Sequence, residues 1–309
     1  MKSDTKIAVL IPAYNEEKTI LTVINDFSSL NIDNLNIIVC DNNSNDNTYD
    51  IAKNSGKAVV LREKKQGKGN AVRTMFRETE ADIYVLVDAD DTYKAHDLNR
   101  LLQPIINDNA DMVIGDRLSS SYFTENKRKF HNFGNTLMKR LINYFFKANI
   151  SDVMTGYRAF SKRFVKTFPC LSKGFEIETE LTIHAIDKNL NIENVVINYQ
   201  DRPIDSPSKL NTISDGIKVI LTFIKYFALY KPIKFFSFFS IIFACISTIV
   251  LFPILIEFKQ THLVPRFPTL FVCIFVYIVA IQCFFTGVTL ELLNKNNRQE
   301  FEYKLLSFS

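Results

Sequence analysis

The stretch Ile83-Tyr84-Val85-Leu86-Val87-Asp88-Ala89-Asp90-Asp91 is a short apolar run that ends in three carboxylates. A run of this length predicts a buried β-strand. Acids at the carboxyl end of such a strand lie where open α/β sheets form their ligand crevices. On an extended backbone, Asp88 and Asp90 project to the same side, which suits a divalent metal held against a diphosphate. Acids in this position also serve as turn residues and helix N-caps, and the stretch alone leaves both interpretations open.

Strand-like and helical patterns alternate before this stretch. The patterns predict strands at 7–11, 36–40, 59–62 and 83–87, and helices at 16–30, 46–55 and 70–78. Such alternation indicates parallel strands joined by crossover helices in a doubly wound α/β sheet. The loops after the first, second and fourth strands should therefore meet at one edge of the sheet. In the second loop, Ser44 or Asp46 would cap the next helix, whereas capping does not explain Asp41.

Two later runs are long and almost wholly apolar. The stretches 235–256 and 267–290 contain no Asp, Glu, Lys, Arg or His. Each is long enough to cross a hydrocarbon core of about 30 Å as a helix that rises about 1.5 Å per residue. Apolar residues cover every face of both stretches, which argues against a hairpin buried in a soluble core. The sequence therefore predicts two transmembrane helices.

Basic residues predict the orientation of these two helices. The link at 257–266 is short, so both outer flanks should lie on the same side of the membrane. Those flanks hold more basic residues than the link does: Lys218, Lys225, Lys231, Lys234, Lys295, Arg298 and Lys304 against Lys259 and Arg266. By the positive-inside rule, the N-terminal part is cytoplasmic. We also expect no signal peptide, because the first residues lead directly into the strand at 7–11.

Composition restricts the partners. The formal net charge is +4, and no basic patch interleaved with aromatic residues indicates nucleic acid binding. The five cysteines lack metal-ligand spacing and indicate a reducing compartment. Basic residues near the apolar runs are suited to anionic lipid, so the expected partner is a lipid bilayer.

Ordered motifs carry a resemblance to a known family. The first four are Ile11-Pro12-Ala13-Tyr14-Asn15-Glu16-Glu17, Asp41-Asn42-Asn43-Ser44 with Asp46 and Thr48, Gly67-Lys68-Gly69-Asn70-Ala71, and Asp88-Ala89-Asp90. They resemble the family 2 glycosyltransferases of the GT-A fold. Later motifs are similar to the polyprenyl-phosphate branch of that family, which includes dolichyl-phosphate mannose synthase: Gly115-Asp116-Arg117, the run 152–160, Gly174-Phe175-Glu176-Ile177-Glu178, and Arg202 with Ser208-Lys209-Leu210.

The resemblance to bacterial two-span undecaprenyl-phosphate glucosyltransferases covers essentially the whole chain. It implies a GT-A domain, doubly wound and Rossmann-like, followed by a surface amphipathic helix and two transmembrane helices. Apolar residues at helical intervals between 213 and 230 also fit a helix on the membrane surface, or one packed on the soluble domain. We expect a cytoplasmic catalytic domain at 1–210, the amphipathic helix at 211–232, a transmembrane hairpin at 233–293 and a cytoplasmic tail at 294–309.

The family assigns the nucleotide-sugar to the loops at the sheet edge. Pro12, Tyr14 and Glu16 would line a pocket for a uracil or guanine base and its ribose, with Asp41 beside the base. Lys68 would approach the diphosphate, although a lysine in a glycine-flanked turn is, without the flanking motifs, more typical of a solvated turn.

The family assigns a divalent metal to Asp88 and Asp90, the two acids of the Asp88-Ala89-Asp90 motif. Asp88 would lie near the ribose and the metal, and Asp90 would bind Mg²⁺ or Mn²⁺ bridging the α- and β-phosphates. Such a metal offsets charge that develops on the leaving nucleoside diphosphate.

A phosphate acceptor needs cations rather than a base. A phosphate monoester has a second pKa of about 6 and is mostly anionic at neutral pH, whereas a sugar hydroxyl must lose a proton during attack. The resemblance assigns Arg117, Arg128 and Arg202 to the acceptor phosphate, although the basic run around Arg128 also suits a solvated surface. Glu178 is the candidate base for a hydroxyl acceptor, and the polar face of a helix explains it equally well.

These observations predict inverting transfer of a sugar from a UDP- or GDP-sugar to a polyprenyl phosphate such as undecaprenyl or dolichyl phosphate. The product would be a lipid-linked monosaccharide on the cytoplasmic membrane face, which would require a separate flippase, and a homo-oligomer is plausible. One alternative is a family 2 glycosyltransferase that acts on diacylglycerol or a glycan. A second is a non-enzymatic, membrane-tethered receiver-like module, since such modules also gather acids at strand ends.

Overall fold

A β-sheet organises the part of the chain that carries the motifs. The structure is a computed structural model, and it describes residues 4–120, 129–201 and 212–306. Within these residues the strands are β1 (Ile7–Ala13), β2 (Leu35–Asp41), β3 (Val59–Arg62), β4 (Ile83–Leu86), β5 (Met112–Asp116), β6 (Arg158–Ser161) and β7 (Ile192–Val196). They form one sheet in the order β3-β2-β1-β4-β6-β5-β7.

The predicted parallel pairing of the first four strands is confirmed. β1 lies between β2 and β4 and is parallel to both, and β3 is parallel to β2. The chain moves to the other side of β1 between β3 and β4, so a topological switch point lies at the carboxyl ends of β1 and β4, where α/β sheets bind ligands. β5 and β7 are also parallel, whereas β6 is antiparallel to β4 and β5. The sheet is therefore mixed, which the alternating pattern did not predict.

Helices connect these strands and continue beyond them. They are α1 (Ile20–Ser28), α2 (Thr48–Asn54), α3 (Lys68–Glu78), α4 (Leu98–Ile106), α5 (Lys129–Phe146), α6 (Lys162–Thr167), α7 (Ile177–Asp187), α8 (Thr212–Tyr230), α9 (Pro232–Thr261) and α10 (Phe267–Leu306). The helix predicted from Glu16 begins instead at Ile20. The reason is local: Asn15 has a positive φ of 53°, and the residues around it bond to the loop after β2.

The core forms where helices cover the sheet. Val9, Val85 and Val113 are fully buried in three different strands, and Ile24 and Leu101 bury the inner faces of α1 and α4 against the same cluster. Strands covered in this way are apolar on both faces, which explains their continuous apolar runs. The core therefore holds the carboxyl ends of β1, β2 and β4 in fixed positions.

The described residues divide into two compact units. The first ends at Ile220 and takes in the last residues from Lys304 onward, and the second is Leu221–Tyr303. The boundary between them falls inside α8, the helix that the sequence predicted between 211 and 232. Within the second unit, this helix exposes Leu221, Ile224 and Leu229 and buries Phe223 and Tyr226.

Two helices of the second unit are long and apolar enough to cross a membrane. α9 has 30 residues and α10 has 40, and only 11% and 17% of their most apolar windows are buried. The two helices contact each other through hydroxyl groups: Ser240 donates to the Ala280 carbonyl oxygen at 2.7 Å, and Ser247 to that of Cys273 at 2.9 Å. Small polar residues of this kind join helices in lipid. α10 also continues as a helix past the predicted apolar run, to Leu306.

Candidate active site

Hydrogen bonds join the loop after β1 to the loop after β2. The Asn15 amide donates to the Ser44 hydroxyl at 3.0 Å, and the Glu16 amide donates to the Thr48 hydroxyl at 2.8 Å. Asp46 accepts from the Thr48 amide at 3.0 Å at the start of α2, although the N-cap position itself is Asn47, whose side chain makes no capping bond. The Asn/Ser/Asp cluster therefore fixes one wall of the crevice in addition to starting a helix.

A second contact joins the loop after β1 to the loop after β4. The Thr19 hydroxyl lies 2.7 Å from the Ala89 carbonyl oxygen and 3.3 Å from Glu16 Oε2. Glu16 is buried, and Pro12 and Tyr14 are half-buried. Pro12 at the end of β1, and Tyr14 and Glu16 in the loop that follows, thus lie in one short segment. Its loop is anchored to both neighbouring loops.

Asp41 presents an unsatisfied acceptor at the end of β2. The residue is buried, and within the part of the chain that the structure describes its Oδ1 atom has no hydrogen-bond partner. A buried polar atom without a partner is unfavourable by about 1–3 kcal/mol, so such atoms in folded proteins call for a ligand or another explanation. Asp41 is therefore suited to accept a hydrogen bond from a bound ligand.

A lysine between two carboxylates lies beside the β4 loop. The Lys68 ammonium, at the first residue of α3, contacts Asp88 Oδ1 and lies 2.6 Å from Glu178 Oε1. The side chains of Lys68 and Glu178 are 9% and 7% exposed, whereas that of Asp88 is 26% exposed. Burial raises the pKa of Glu178 above its ordinary value, and Lys68 opposes this shift. Two acids around one cation leave an excess negative charge that a further cation can offset.

Glycines hold the Lys68 turn against the segment before α7. A Cβ atom at Gly67 would overlap the Lys173 carbonyl oxygen, and one at Gly69 would overlap that of Ser172. Gly67 also has a φ of 130°, which other residues rarely adopt. The glycines of Gly67-Lys68-Gly69 are therefore explained by close packing, and this packing brings Lys68 to Glu178.

The remaining acids after β4 have separate partners. Asp90 is buried, and its Oδ1 accepts from the amide and the hydroxyl of Thr92 at 3.2 and 2.6 Å. Asp91 Oδ1 instead pairs with the Lys94 ammonium at 2.8 Å. Thr92 therefore orients the candidate metal ligand.

Gly156 brings the loop before β6 against Asp88. A Cβ atom at this position would overlap the Asp88 carboxylate. The Gly156 amide donates to the Tyr93 hydroxyl at 3.0 Å, and Tyr93 is buried beside Tyr157, with their ring centroids 5.4 Å apart. Tyr93 therefore holds the glycine in place behind Asp88, a role that no sequence pattern indicated.

Arg117 lies in a buried ion pair. Its Nε donates to Asp152 Oδ2 at 2.7 Å and its Nη2 to Asp152 Oδ1 at 3.2 Å, and the guanidinium carbon is 5.8 Å from the Tyr199 ring centroid. Asn135 donates to the same carboxylate at 3.0 Å. Asp152 neutralises most of the Arg117 charge, so an anion at this site would bind a preoriented guanidinium rather than an uncompensated one. Arg128 and Arg202, the other two predicted phosphate ligands, lie outside the described residues.

The sequence analysis gave no role to Arg158, which contacts both the loop before β6 and helix α7. This arginine is fully buried in β6, and it donates to the carbonyl oxygens of Val153 and Thr155 at 2.6 and 3.1 Å and to the Thr182 hydroxyl at 2.8 Å. Burial lowers the pKa of Arg158 to about 10, and Glu178 and Asp152 oppose that shift. It therefore ties the loop behind Asp88 to the helix that carries Glu178. Its position within the family motif 152–160 was a signal, but that motif gave no role to Arg158.

The acids at the β4 edge fit a metal that is shared with a phosphate ligand. Carboxylate oxygens are ligands that Mg²⁺ and Mn²⁺ accept, and Mg²⁺ is usually bound through one or two carboxylates plus substrate phosphates and waters. Asp88 and Asp90 supply that number. Across the described ranges no group of three or more His, Cys, Asp or Glu side chains could hold a metal ion by itself. The donor set therefore suits an ion that the diphosphate helps to bind.

Comparisons with known proteins identify the family of this chain. Residues 8–168 match the model of the family "Glycosyl transferase family 2". The chain is 34% identical over 220 residues to the UDP-N-acetylglucosamine–dolichyl-phosphate N-acetylglucosaminyltransferase of Methanococcus voltae, covering 63% of this chain and 86% of the relative. It is 30% identical over 219 residues to the dolichyl-phosphate hexose transferase of Haloferax volcanii, covering 71% and 92%.

A solved structure shows the same fold. Glucosyl-3-phosphoglycerate synthase from Mycobacterium tuberculosis, in complex with Mn²⁺, uridine-diphosphate-glucose and phosphoglyceric acid, aligns with a TM-score of 0.57 and 25% identity over 72% of this chain and 80% of the other. Because the family model spans more than half of the chain and the relatives are enzymes of the same kind, the non-enzymatic alternative is excluded. The chain belongs to glycosyl transferase family 2 and is a glycosyltransferase with the GT-A fold.

Proposed function

We propose that this glycosyltransferase moves a sugar, with inversion, from a UDP- or GDP-sugar to a polyprenyl phosphate and so makes a lipid-linked monosaccharide. The observation that carries the proposal is that one chain combines the acidic crevice around Lys68 with two helices long enough to cross a membrane. An enzyme held at a membrane is suited to an acceptor that resides there. The two relatives named for dolichyl phosphate support the same acceptor class.

In this proposal the loops after β1 and β2 bind the nucleotide. Pro12, Tyr14 and Glu16 line the base and ribose, and Asp41 Oδ1, which lacks a partner in the described structure, accepts the ring N–H of the base. Both uracil and guanine carry such an N–H, so this contact does not decide between UDP and GDP. The solved relative, whose complex contains uridine-diphosphate-glucose, supports a nucleotide-sugar as the donor.

Asp41→Asn should weaken UDP binding by about tenfold, because a hydrogen bond to a charged acceptor contributes about 1.5–3 kcal/mol and a neutral amide retains only part of it. Calorimetric titration with UDP and with pyrophosphate measures the effect, and pyrophosphate binding should stay unchanged. Asp50→Asn, on the exposed side of α2, is the matched control. Equal weakening of both ligands would show that Asp41 does not recognise the base.

The metal in this proposal acts on the leaving group. Asp88 and Asp90 would hold Mg²⁺ or Mn²⁺, which offsets charge on the departing nucleoside diphosphate when it is bound. Lys68 supplies a second positive charge from the protein. The complex of the solved relative with Mn²⁺ supports the use of a divalent ion.

The acceptor phosphate arrives already anionic. With a second pKa of about 6, it needs positioning rather than deprotonation, and the preoriented Arg117 is suited to that task, together with Arg128 and Arg202 by family resemblance. Glu178 has a raised pKa beside Lys68 and remains the candidate base if the acceptor is a hydroxyl. Its salt bridge to Lys68 favours a charge-positioning role with a phosphate acceptor.

The membrane arrangement extends the same proposal. Residues 1–210 would act on the cytoplasmic face, with α8 at the membrane surface and α9 and α10 as the two spans. A chain with two spans offers no evident path for its product, so a separate flippase would move the lipid-linked sugar. A homo-oligomer is compatible with this arrangement.

Gly156→Ala should reduce kcat/KM by about 100-fold, since its methyl group displaces the Asp88 carboxylate and a shift of about 1 Å at a reacting centre has that effect. Initial rates of nucleoside diphosphate release provide the measurement. Gly134→Ala in α5, where a Cβ meets nothing within 4 Å, is the control and should retain full activity. A fully active Gly156→Ala enzyme would mean that the position of Asp88 is not critical.

The function is tested with purified protein in detergent, Mn²⁺, and a panel of nucleotide sugars and acceptors. We expect release of nucleoside diphosphate that depends on polyprenyl phosphate. Turnover only with diacylglycerol or a glycan would replace the acceptor in the proposal. The consumed member of the panel also identifies the sugar.

A further inference from the structure

Two large apolar side chains are exposed on the segment that packs against the Lys68 turn. In this segment, which we call the 171–175 loop (Leu171–Phe175), Leu171 is 74% exposed and Phe175 is 61% exposed. Lys173 between them is exposed as well. Single exposed apolar residues are ordinary on protein surfaces. Two of them indicate a binding surface only if the fold fixes the conformation and position of the loop that carries them.

The backbone of the 171–175 loop is held from both ends. The amides of Leu171 and Ser172 donate to the buried carboxylate of Glu180 at 3.2 and 2.8 Å. The amides of Lys173 and Gly174 donate to Glu176 Oε1 at 3.3 and 3.2 Å.

The glycine turn closes the other side of the same loop. The Asn70 amide lies 3.3 Å from the Lys173 carbonyl oxygen, and Gly67 and Gly69 have no room for a Cβ against this backbone. The exposed side chains are therefore presented by a fixed scaffold, in which carboxylates and glycines hold the chain.

The loop also lies next to the charged cluster. The Phe175 ring centroid is 6.0 Å from the Lys68 ammonium, which itself contacts Asp88 and Glu178. An apolar surface thus adjoins the cluster proposed to bind the donor diphosphate, and the exposed Lys173 adds a positive charge beside that surface. An acceptor phosphate has to lie next to the donor diphosphate in order to attack the sugar. The ligand that suits this loop is therefore an amphiphile whose anionic head is followed directly by a hydrocarbon chain.

We propose that the 171–175 loop binds the first isoprene units of the lipid phosphate acceptor and so makes Leu171 and Phe175 specificity-determining residues. The inference rests on the proposed function, since it takes the acceptor to be a prenyl phosphate. The inference adds that part of the acceptor's affinity comes from contacts between the hydrocarbon next to its phosphate and the catalytic unit.

The test compares acceptors of different tail length with the full chain in detergent. Leu171→Ser and Phe175→Ser should each raise KM about tenfold for prenyl phosphates of two or more isoprene units, because each removes a large apolar contact. With methyl phosphate as acceptor, and for the nucleotide sugar, KM should not change. Tyr144→Ser, at a side chain 79% exposed on α5, is the control and should match the wild type with every acceptor.

Four outcomes would overturn the inference. Equal effects of the loop variants on methyl phosphate and on prenyl phosphates would place the residues in the fold or the donor site. Effects that appear only in phospholipid vesicles, and not with short prenyl phosphates in detergent, would make the loop a bilayer contact. If the wild-type protein uses no prenyl phosphate, both the proposed function and the inference fail. If the wild type turns over prenyl phosphates but the loop variants do not change KM according to tail length, only the inference fails.

Discussion

Asparagine in place of Asp90 is expected to lower kcat/KM for the nucleotide sugar by about 10³-fold, because a metal ion at a leaving phosphate contributes several kcal/mol. The fold should not change. Asp90 Oδ1 accepts from the amide and hydroxyl of Thr92, and the amide oxygen of asparagine can accept both hydrogen bonds. The substitution therefore removes the negative charge while it keeps the turn.

Electron paramagnetic resonance of Mn²⁺ in the presence of UDP tests the cause of that loss. Asp90→Asn should lose most of the UDP-dependent binding of Mn²⁺. Asp91→Asn is the matched control, because Asp91 pairs with Lys94 and has a φ of 59°, which asparagine tolerates. A partly exposed pair contributes about 0–1 kcal/mol, so the control should stay within about fivefold of the wild type. Normal Mn²⁺ binding by Asp90→Asn would place the ligand elsewhere.

Strand ends were the predictable part of this site. Each apolar run stops where the chain leaves the core, and parallel strands carry those stops to the same edge. Asp41, Asp88 and the loop of Glu16 could therefore be brought together from the sequence without knowledge of any contact. The same reasoning yielded β1 to β4 and the two long apolar helices, whose signals are local and periodic.

The unpredicted part consists of contacts between distant segments. Glu178 lies in a run of alternating acids that a solvated helix face explains equally well, and only the packing of α7 beside Lys68 buries it. Arg158 is the first residue of the short strand β6, so hydropathy does not reveal this strand. Two of its hydrogen-bond partners are carbonyl oxygens, which carry no sequence signature. Gly156 is constrained by Asp88, a residue far away in the sequence.

Lys68→Met should lower kcat/KM by about 10²–10³-fold, the effect of removing one preoriented electrostatic group that faces developing charge. Donor binding should weaken as well, since the cation near the diphosphate is lost. Methionine is similar in length and apolar, so it fills the same space without the charge. Lys65→Met, on the exposed part of the same turn, is the control and should retain activity. Full activity of Lys68→Met would remove Lys68 from the donor site.

The same variant should bind Mn²⁺ more tightly than the wild type when no nucleotide is present. In the wild type the Lys68 ammonium contacts Asp88 and Glu178, so a metal ion must compete with it for Asp88. Without Lys68 the two carboxylates keep their repulsion and lose their cation, which raises the pKa of Glu178 further above its ordinary value. A carboxyl group whose pKa is higher in the folded state than in the unfolded state stabilises the fold at pH values below the unfolded-state pKa. This contribution is lost as the pH rises through the folded-state pKa. In EDTA, the melting temperature of Lys68→Met should therefore lie further below that of the wild type at pH 8 than at pH 5. Added Mn²⁺ should restore the melting temperature at pH 8. A difference in melting temperature that is independent of pH would contradict the charge argument.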